Sequence, residues 1–259
     1  MRQVVEPQSW LDVGAGHGHF CFVARQTLPG TRFEGLDLSE GIEEAARAGW
    51  IAAGYRGFFP DLAPSLEDRY DAVSMFHYLE HTPDVRRELR AARTMLKPGG
   101  FLVIEVPDPE CPTARFLGRF WLPWLQPQHL NLMSMSVLER VLREIGFEPA
   151  LSQRAEADRR HDLACAVGLL INFIAPPAEL PWRPRPKLWR RLWPLMVRPL
   201  AAPLVLVGAL ADRLSRPLMR RRNRANGYRI VARSLKPAKA PEMAATPEAV
   251  TAPEAAALS

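Results

Sequence analysis

The chain has 259 residues, of which 47% are hydrophobic and 24% charged, as in ordinary soluble globular proteins. This composition excludes collagen-like, coiled-coil and wholly disordered classes. The three cysteines, Cys21, Cys111 and Cys165, form no CxxC pair, which argues against a disulfide framework and predicts a reduced, cytoplasmic setting. The opening residues MRQVVEPQSW lack the apolar stretch of a signal peptide. No run of about 18 uncharged apolar residues is present, so no membrane-spanning helix is expected.

The net charge of +6 conceals a strong asymmetry along the chain. Residues 181–229 alone carry +12, whereas the rest of the chain carries −6. The high isoelectric point therefore reflects one basic segment and says little about the first half of the chain.

Short apolar runs alternate with segments of helical spacing along most of the chain. The predicted strands are residues 9–13, 32–36, 55–59, 70–76, 101–106, 147–151 and 228–233. The predicted helices are residues 20–27, 41–48, 84–95 and 136–145. This alternation predicts an α/β fold, with a doubly wound, mostly parallel, seven-stranded sheet that is covered on both faces.

The composition divides the chain into four parts. Residues 1–155 are the predicted core domain, and residues 228–236 add its final strand. Between them, residues 156–227 form a helical insertion that is both basic and apolar. Residues 237–259 contain too little apolar surface to offset the entropy of ordering, so we expect a disordered tail.

The sharpest local signal is the glycine-rich turn that follows the first predicted strand. Gly14, Gly16 and Gly18 occupy alternate positions, which lets the backbone pass close to a ligand, although a purely structural turn would use the same residues. The spacing differs from the G-x-G-x-x-G that holds a pyrophosphate. Asp12 beside the turn would repel a phosphate and favour a cationic amino-acid group.

Two further acids follow predicted strands. Asp37 comes nineteen residues after Gly18, where a carboxylate can accept both hydroxyls of a ribose. Asp61 follows the third predicted strand, where an acid can reach an adenine amine. A ligand with a ribose, an adenine and a positive centre, but no phosphate, is S-adenosylmethionine.

The chain resembles the class I S-adenosylmethionine-dependent methyltransferases, and especially the group that includes ubiquinone-pathway enzymes. The segments that carry the resemblance are LDVGAGHGHF, GLDLSE, YDAVSMFHYLEH and LKPGGFLVIEVPD. It covers about residues 8–151 and the final strand, and it implies a Rossmann-like fold. The cofactor-binding residues that it implies, together with the acid noted above, are Asp12, Gly14, Ala15, Gly16, Asp37, Leu38, Asp61 and Leu62. Most relatives have a helix before the first strand, so either the cofactor or substrate site is partly open here or the true start of the chain lies further upstream.

The motif HYLEH at residues 77–81 admits several functions. It matches the H-x-x-E-H of zinc proteases, but it follows a strand instead of lying in a long helix. The resemblance implies a divalent metal near Glu80 and His81, yet His77 replaces an acid and suits magnesium poorly, so we predict no metal. The remaining alternatives are His81 as a general base and a structural role for Glu80 and His81.

His129 lies in the loop that follows the fifth predicted strand, after a tryptophan-rich segment. Ligands of α/β sheets bind outside the carboxyl ends of the strands, so this loop should face the acceptor. His129 and His81 are therefore the candidate catalytic residues. A structural histidine is the alternative at position 129.

Residues 181–222 combine basic charge, three tryptophans and an apolar run at 199–211. As a helix this run reaches about 20 Å, less than the roughly 30 Å of a bilayer core. The combination predicts a segment that lies at an anionic membrane surface, at the inner face of the membrane. A lid on the core is the alternative. Binding of nucleic acid is disfavoured, because no recognition motif accompanies the arginines at 220–222.

The function that these features predict is methyl transfer from S-adenosylmethionine to a small-molecule or lipid-like acceptor. The acceptor atom stays open between oxygen, carbon and nitrogen. The alternative function is a non-catalytic module that binds the cofactor, a membrane or a partner on the same fold.

Overall fold

The computed structural model describes residues 6–124, 127–154, 161–177, 187–221 and 225–238. The strands in these residues are β1 Ser9–Val13, β2 Arg32–Asp37, β3 Gly54–Arg56, β4 Tyr70–Phe76, β5 Leu96–Pro107, β6 Phe147–Gln153 and β7 Gly227–Ser234. The helices are α1 His19–Thr27, α2 Gly41–Arg47, α3 Phe59–Leu62, α4 Val85–Met95, α5 Pro112–Leu117, α6 Met135–Ile145, α7 Asp162–Ile174 and α8 Leu188–Arg221.

The strands form one sheet in the order β3-β2-β1-β4-β5-β7-β6. Strands β1 to β5 run parallel, and β7 lies antiparallel between β5 and β6. The chain order reverses between β1 and β4, which places a ligand crevice beyond the carboxyl ends of these two strands. The predicted α/β class, with its doubly wound, mostly parallel, seven-stranded sheet, is confirmed.

Both faces of the sheet are buried because alternate residues of each strand point to opposite sides. Leu11 of β1 joins a core that includes Leu89 of α4. The neighbouring Trp10 instead packs in a second core with Cys21 of α1 and Ile42 of α2. The strands are therefore apolar on both sides, which is the pattern from which the fold was predicted.

The third strand is shorter than the sequence suggested. It ends at Arg56, whereas residues 55–59 were predicted. Gly57 has a φ of 154°, which favours glycine, and Pro60 occupies the first turn of α3, where its fixed φ suits a helix start. The second half of the predicted strand was therefore wrong, and Phe58 lies beyond the sheet.

The insertion contains α7 and α8, which pack as an antiparallel hairpin. Asp212 of α8 is buried, and its Oδ2 accepts hydrogen bonds from the backbone N–H groups of Leu163 and Ala164, each at 3.1 Å. At the other end of the hairpin, Trp193 Nε1 donates to the carbonyl of Ile174 at 3.0 Å. Asp212 thereby satisfies two N–H groups that the first turn of α7 leaves without helical partners.

Helix α8 is much longer than the uncharged run at 199–211. Its segment Leu188–Ser215 is long and apolar enough to cross a membrane, by length and composition alone. This candidate was not identified from the sequence, because only runs of uncharged residues were counted. A single arginine such as Arg198 does not end a helix, and its long stem can lie along apolar surface.

Parts of the predicted segments lie outside the described residues. These are residues 1–5, 125–126 and 155 of the predicted core, residues 156–160, 178–186 and 222–224 of the predicted insertion with its membrane segment, and residues 239–259 of the predicted tail.

A buried chain of hydrogen bonds links β1 to β4. Trp10 Nε1 donates to Ser74 Oγ at 2.8 Å, and the Ser74 hydroxyl donates to Asp12 Oδ1 at 2.6 Å. Burial raises the pKa of Asp12 from 3.8 to about 7, the nearby charge of Asp37 adds to this rise, and the Ser74 hydrogen bond opposes it.

We expect Asp12→Asn to change how stability depends on pH. Because the pKa of Asp12 is about 7 in the folded chain and near 3.8 when unfolded, its contribution is fully present below the lower value. That contribution is lost as the pH rises through the higher value. Relative to Asp12→Asn, the wild type should therefore lose up to about 4 kcal/mol of unfolding free energy between about pH 4 and pH 8.

Urea unfolding at a series of pH values measures this difference. Glu43→Gln, which changes an exposed carboxylate on α2, is the matched control and should show a difference independent of pH. A flat difference for Asp12→Asn as well would contradict the burial of an ionisable carboxyl group in β1.

Candidate active site

The carboxyl ends of β1 to β4 surround a cavity of about 230 Å³. Each of these four strands contributes the residues that directly follow it. The lining residues are Gly14, Leu36, Asp37, Leu38, Gly57, Phe58, Phe59, His77, Tyr78 and His81.

The glycine turn after β1 forms one wall of this cavity. Gly14 and Gly16 have φ values of 72° and 52°, which residues with side chains rarely adopt. A Cβ on Gly14 would lie 2.7 Å from the ring of Tyr78, so a side chain there would displace that ring from the wall. No atom lies within 4 Å of a Cβ placed on Gly16. The turn thus leaves its backbone open to a ligand at Gly16.

Asp37 presents an ionised carboxylate beside this turn. Its Oδ2 accepts from the Gly16 N–H at 2.8 Å, and its Oδ1 accepts from the Ser39 N–H at 2.8 Å. Partial burial alone would raise the pKa of Asp37, but hydrogen bonds from Ser39 and Gly16 outweigh it and hold the pKa below its ordinary value. Each carboxylate oxygen has a further lone pair, so Asp37 can also accept ribose hydroxyls, as predicted.

The structure brings only some of the predicted cofactor-binding residues to this cavity. Gly14, Asp37 and Leu38 line it. Asp12 is buried within the sheet, and Ala15 packs against the second hydrophobic core. Neither Asp12 nor Ala15 is among the residues that line the cavity.

The two residues predicted beside the adenine also lie away from the cavity lining. Asp61 forms an ion pair with Arg87 at 2.6 Å, and Leu62 lies against Gly57. Phe58 lines the cavity instead, with 65% of its surface exposed, and its ring offers a stacking face for a purine. The position of Phe58 just after the end of β3 could have indicated a cavity-lining residue. The predicted strand extended to residue 59 and therefore included Phe58.

A second cavity, of about 260 Å³, adjoins the first. His77 and His81 line both cavities, so the two share a wall. The lining of the second cavity is His77, Glu80, His81, Glu105, Pro107, Leu122, Pro123, His129, Asn226 and Gly227.

The two predicted catalytic histidines face each other in the second cavity. The ring centroids of His81 and His129 lie 4.7 Å apart. Nδ1 of His81 is 2.9 Å from the carbonyl oxygen of Gln128, and Nδ1 of His129 is 2.7 Å from that of Pro123. A carbonyl oxygen only accepts hydrogen bonds, so Nδ1 bears the hydrogen and the neutral rings keep their lone pairs on Nε2.

Glu80 lies next to these histidines, and ligand atoms of Glu80, His81 and His129 fall within 4.8 Å of one another. Two imidazoles and one carboxylate differ from the oxygen ligands that magnesium prefers. His77 stands where the family motif has an acid, and its Nδ1 lies 3.3 Å from Glu80 Oε1. The donor set therefore does not fit magnesium.

Comparison with curated proteins gives relatives that share the first part of the chain. The ubiquinone biosynthesis O-methyltransferase of Bordetella avium is 28% identical over 151 residues, which cover 54% of this chain and 62% of the relative. The enzyme of the same name from Alkalilimnicola ehrlichii is 31% identical over 151 residues, covering 54% of this chain and 60% of the relative. The chain thus spans less than two thirds of the length of these relatives.

Solved structures share the fold at low sequence identity. A SAM-dependent methyltransferase from Archaeoglobus fulgidus superposes with a TM-score of 0.52 at 16% identity, covering 88% of this chain and 86% of that one. The [4+2]-cyclase SpnF gives a TM-score of 0.51 at 18% identity, covering 89% and 75%. At these identities the likeness shows the fold alone.

The family comparison extends over more than half of the chain. A family model described as a methyltransferase domain matches residues 4–152. Together with the curated relatives, this match confirms the family and the cofactor, S-adenosylmethionine, that the sequence motifs predicted. The chain belongs to the class I S-adenosylmethionine-dependent methyltransferases.

Proposed function

We propose that this chain transfers the methyl group of S-adenosylmethionine to an acceptor bound in the second cavity. The observation that carries the proposal is the wall that the two cavities share at His77 and His81. The predicted cofactor residues Gly14 and Asp37 line one cavity, and the predicted catalytic residue His129 lines the other. A donor in the first cavity would therefore lie next to an acceptor in the second.

S-adenosylmethionine supplies a methyl group that its sulfonium charge activates for in-line displacement. The contribution of the chain is chiefly to position the two partners, which converts a bimolecular reaction into a nearly unimolecular one. Asp37 accepts hydrogen bonds from the ribose, and the ring of Phe58 contacts the adenine. A histidine of the second cavity takes up a proton if the acceptor must lose one.

We assign the acceptor to a small-molecule or lipid-like class that is methylated on oxygen. Two relatives are named ubiquinone biosynthesis O-methyltransferases, which supports oxygen as the acceptor atom. The second cavity combines histidines and carboxylates with Leu122 and Pro123, so it offers both polar and apolar contacts to an amphiphilic molecule. A non-catalytic role is not favoured, because the glycine turn and Asp37 are both in place.

The hairpin of α7 and α8 is proposed to hold the enzyme at an anionic membrane surface, on the cytoplasmic side. Its large apolar side chains face outward along most of α8. The most exposed of those in the middle of α8 are Leu200, Leu204, Leu206, Val207 and Leu210. Helices with exposed apolar side chains and neighbouring arginines bind at the interface, with apolar residues among the acyl chains and cations at the headgroups.

Basic residues at the tip of the hairpin favour binding at the membrane surface over crossing of the bilayer. Lys187, Arg190 and Arg191 lie at the start of α8, beyond the contact between Trp193 and Ile174. Both chain ends of the hairpin return to the core, so crossing would carry these cations through the bilayer. Each would cost about 2.5–3.5 kcal/mol at the bilayer centre on insertion scales.

We expect Asp37→Ala to weaken binding of S-adenosylmethionine about 10- to 150-fold, because hydrogen bonds to a charged group contribute roughly 1.5–3 kcal/mol. Isothermal titration calorimetry with the cofactor and its demethylated product measures the change. Glu40→Ala removes an exposed carboxylate three residues away, which pairs with Arg56, and should leave the affinity unaltered. Equal binding by Asp37→Ala and the wild type would contradict the assignment of Asp37.

Methyl transfer is tested with the whole chain and cofactor labelled in its methyl group, offered a membrane-lipid extract and a soluble extract in parallel. We expect label to enter a component of the lipid extract, and Asp37→Ala to reduce its rate at limiting cofactor. Label only in the soluble extract would contradict the proposal of a lipid-like acceptor. No label in either extract, with cofactor binding intact, would contradict the proposal that the chain is a methyltransferase.

Membrane binding is tested by flotation with neutral and anionic liposomes at low and high salt. Recovery should be greatest with anionic liposomes at low salt and should fall but persist at high salt, because only the electrostatic part is screened. Leu204→Glu combined with Leu206→Glu should reduce recovery at least about tenfold, since each exposed leucine offers roughly 1.5–3 kcal/mol on burial. Val23→Glu, an exposed apolar position on α1, is the matched control.

Three results of the flotation experiment would contradict the proposal that the hairpin binds anionic membranes. One is equal recovery under all four conditions, and another is no recovery with anionic liposomes at low salt. Complete release by salt would show a purely electrostatic patch and would favour a nucleic-acid partner.

A further inference from the structure

His77 has an uncommon backbone conformation at the end of β4. Its φ is 50°, and Asp68 is the other residue besides glycine with a positive φ in the described part of the chain. Such conformations persist where the surroundings enforce them, and they occur often at functional sites. Here the His77 N–H donates to the carbonyl of Glu105 at 2.9 Å, which ties the turn to β5.

The ring of His77 lies between two carboxylates. Its Nδ1 is 3.3 Å from Oε1 of Glu80, and its Nε2 is 3.8 Å from Oε1 of Glu105. Glu80 is only 1% exposed, and its Oε2 has no hydrogen-bond partner among the described residues. Glu105 differs, because its Oε2 accepts from Nε and Nη2 of Arg229 at 2.9 and 2.6 Å.

This arrangement determines which nitrogen of His77 faces an acceptor. A carboxylate only accepts hydrogen bonds, so the contact with Glu80 places the ring hydrogen on Nδ1 and leaves the lone pair on Nε2. At 3.8 Å, Glu105 Oε1 is beyond hydrogen-bond distance of Nε2 but close enough to stabilise an imidazolium. Nε2 therefore lies beside Glu105, which also lines the second cavity.

The two predicted catalytic histidines, His81 and His129, have hydrogen-bond partners that are less able to stabilise a cationic ring. Nδ1 of His81 and of His129 each bonds to a neutral backbone carbonyl, and His81 is exposed to solvent. His129 lines only the second cavity, whereas His77 lines both. A histidine that a carboxylate orients is better suited to become cationic during a reaction, as in the triads of hydrolases.

We propose that His77 is the catalytic residue that accepts the proton of a hydroxyl acceptor, and that Glu80 and Glu105 are its positioning residues. The inference rests on the proposed function. In the step, the acceptor O–H bond breaks and its proton goes to Nε2 of His77, while the oxygen forms a bond to the methyl carbon. The bond from that carbon to sulfur breaks, its electron pair stays on sulfur, and S-adenosylhomocysteine results. The imidazolium then returns its proton to water.

Among the described residues, the charged groups near the ring of His77 are Glu80 and Glu105, and Arg229 is paired with Glu105. His81 and His129 line the same cavity.

The ring of His77 provides a test that needs no acceptor. Nitrogen-15 spectra of the histidine rings, recorded on the whole chain saturated with S-adenosylhomocysteine, report the tautomer. His77→Asn assigns the signals, and asparagine tolerates the positive φ. We expect the Nδ1–H tautomer for His77 and a change in its signals on Glu80→Gln. A neutral ring with its hydrogen on Nε2 would overturn the proposal.

Turnover provides the second test, with labelled cofactor and whichever extract accepts label. His77→Asn should lower the rate at saturating cofactor at least about 100-fold, as expected for loss of a general base. The wild-type rate should rise with pH as His77 loses its proton, and this rise should disappear in His77→Asn but persist in His81→Asn and His129→Asn. Glu80→Gln should lower the rate without raising the KM for the cofactor.

The outcomes separate this inference from the proposed function. A His77→Asn variant that keeps the wild-type rate, or keeps the rise with pH, would overturn the assignment of His77 and leave methyl transfer intact. Absence of methyl transfer by the wild type would overturn the proposed function, and the base assignment with it.

Discussion

The hydrogen bond from the Gly16 N–H to the carboxylate of Asp37 joins the turn after β1 to the end of β2. Asp37 cannot occupy this position unless β1 and β2 are parallel and in register, which the pairing of Asp12 with Gly35 provides. The same bond helps to keep Asp37 ionised. Chain reversal between β1 and β4 then opens the crevice into which both the turn and the carboxylate face.

The antiparallel strand β7 connects the hairpin to the acceptor cavity. Gly227 begins β7 and lines that cavity, and only the few residues 222–226 separate it from the end of α8. Asn226, which also lines the cavity, donates to Asp162 at the start of α7 at 3.2 Å. The proposed membrane surface and the proposed acceptor site thus share one end of the sheet. An amphiphilic acceptor drawn from the membrane would meet the cavity close to the hairpin.

Much of the fold and part of the site could be predicted because they depend on short, local patterns. Strands β1 and β4 have the predicted bounds, since each is a short, mostly apolar run. Asp37 and His129 were proposed because residues after parallel strands lie at one edge of the sheet, and His81 was proposed from the HYLEH motif. Phe58 was missed because the predicted strand 55–59 included it, whereas β3 ends at Arg56.

The parts that the sequence did not predict depend on contacts between distant residues. The hairpin requires Asp212 to reach the start of α7, a pairing across about fifty residues that no local pattern indicates. His77 was treated as a substitution in a metal motif, because its relation to Glu105 on β5 becomes visible only in the folded sheet. The length of α8 was not predicted either, since four prolines lie inside this one helix.

The central claim is that donor and acceptor meet at the wall that His77 and His81 share. A crystal structure of the whole chain with S-adenosylhomocysteine tests it most directly. The account predicts the ribose at Asp37 and the sulfur atom beside His77, facing the second cavity. A ribose held elsewhere, or a sulfur that faces away from His77 and His81, would contradict it.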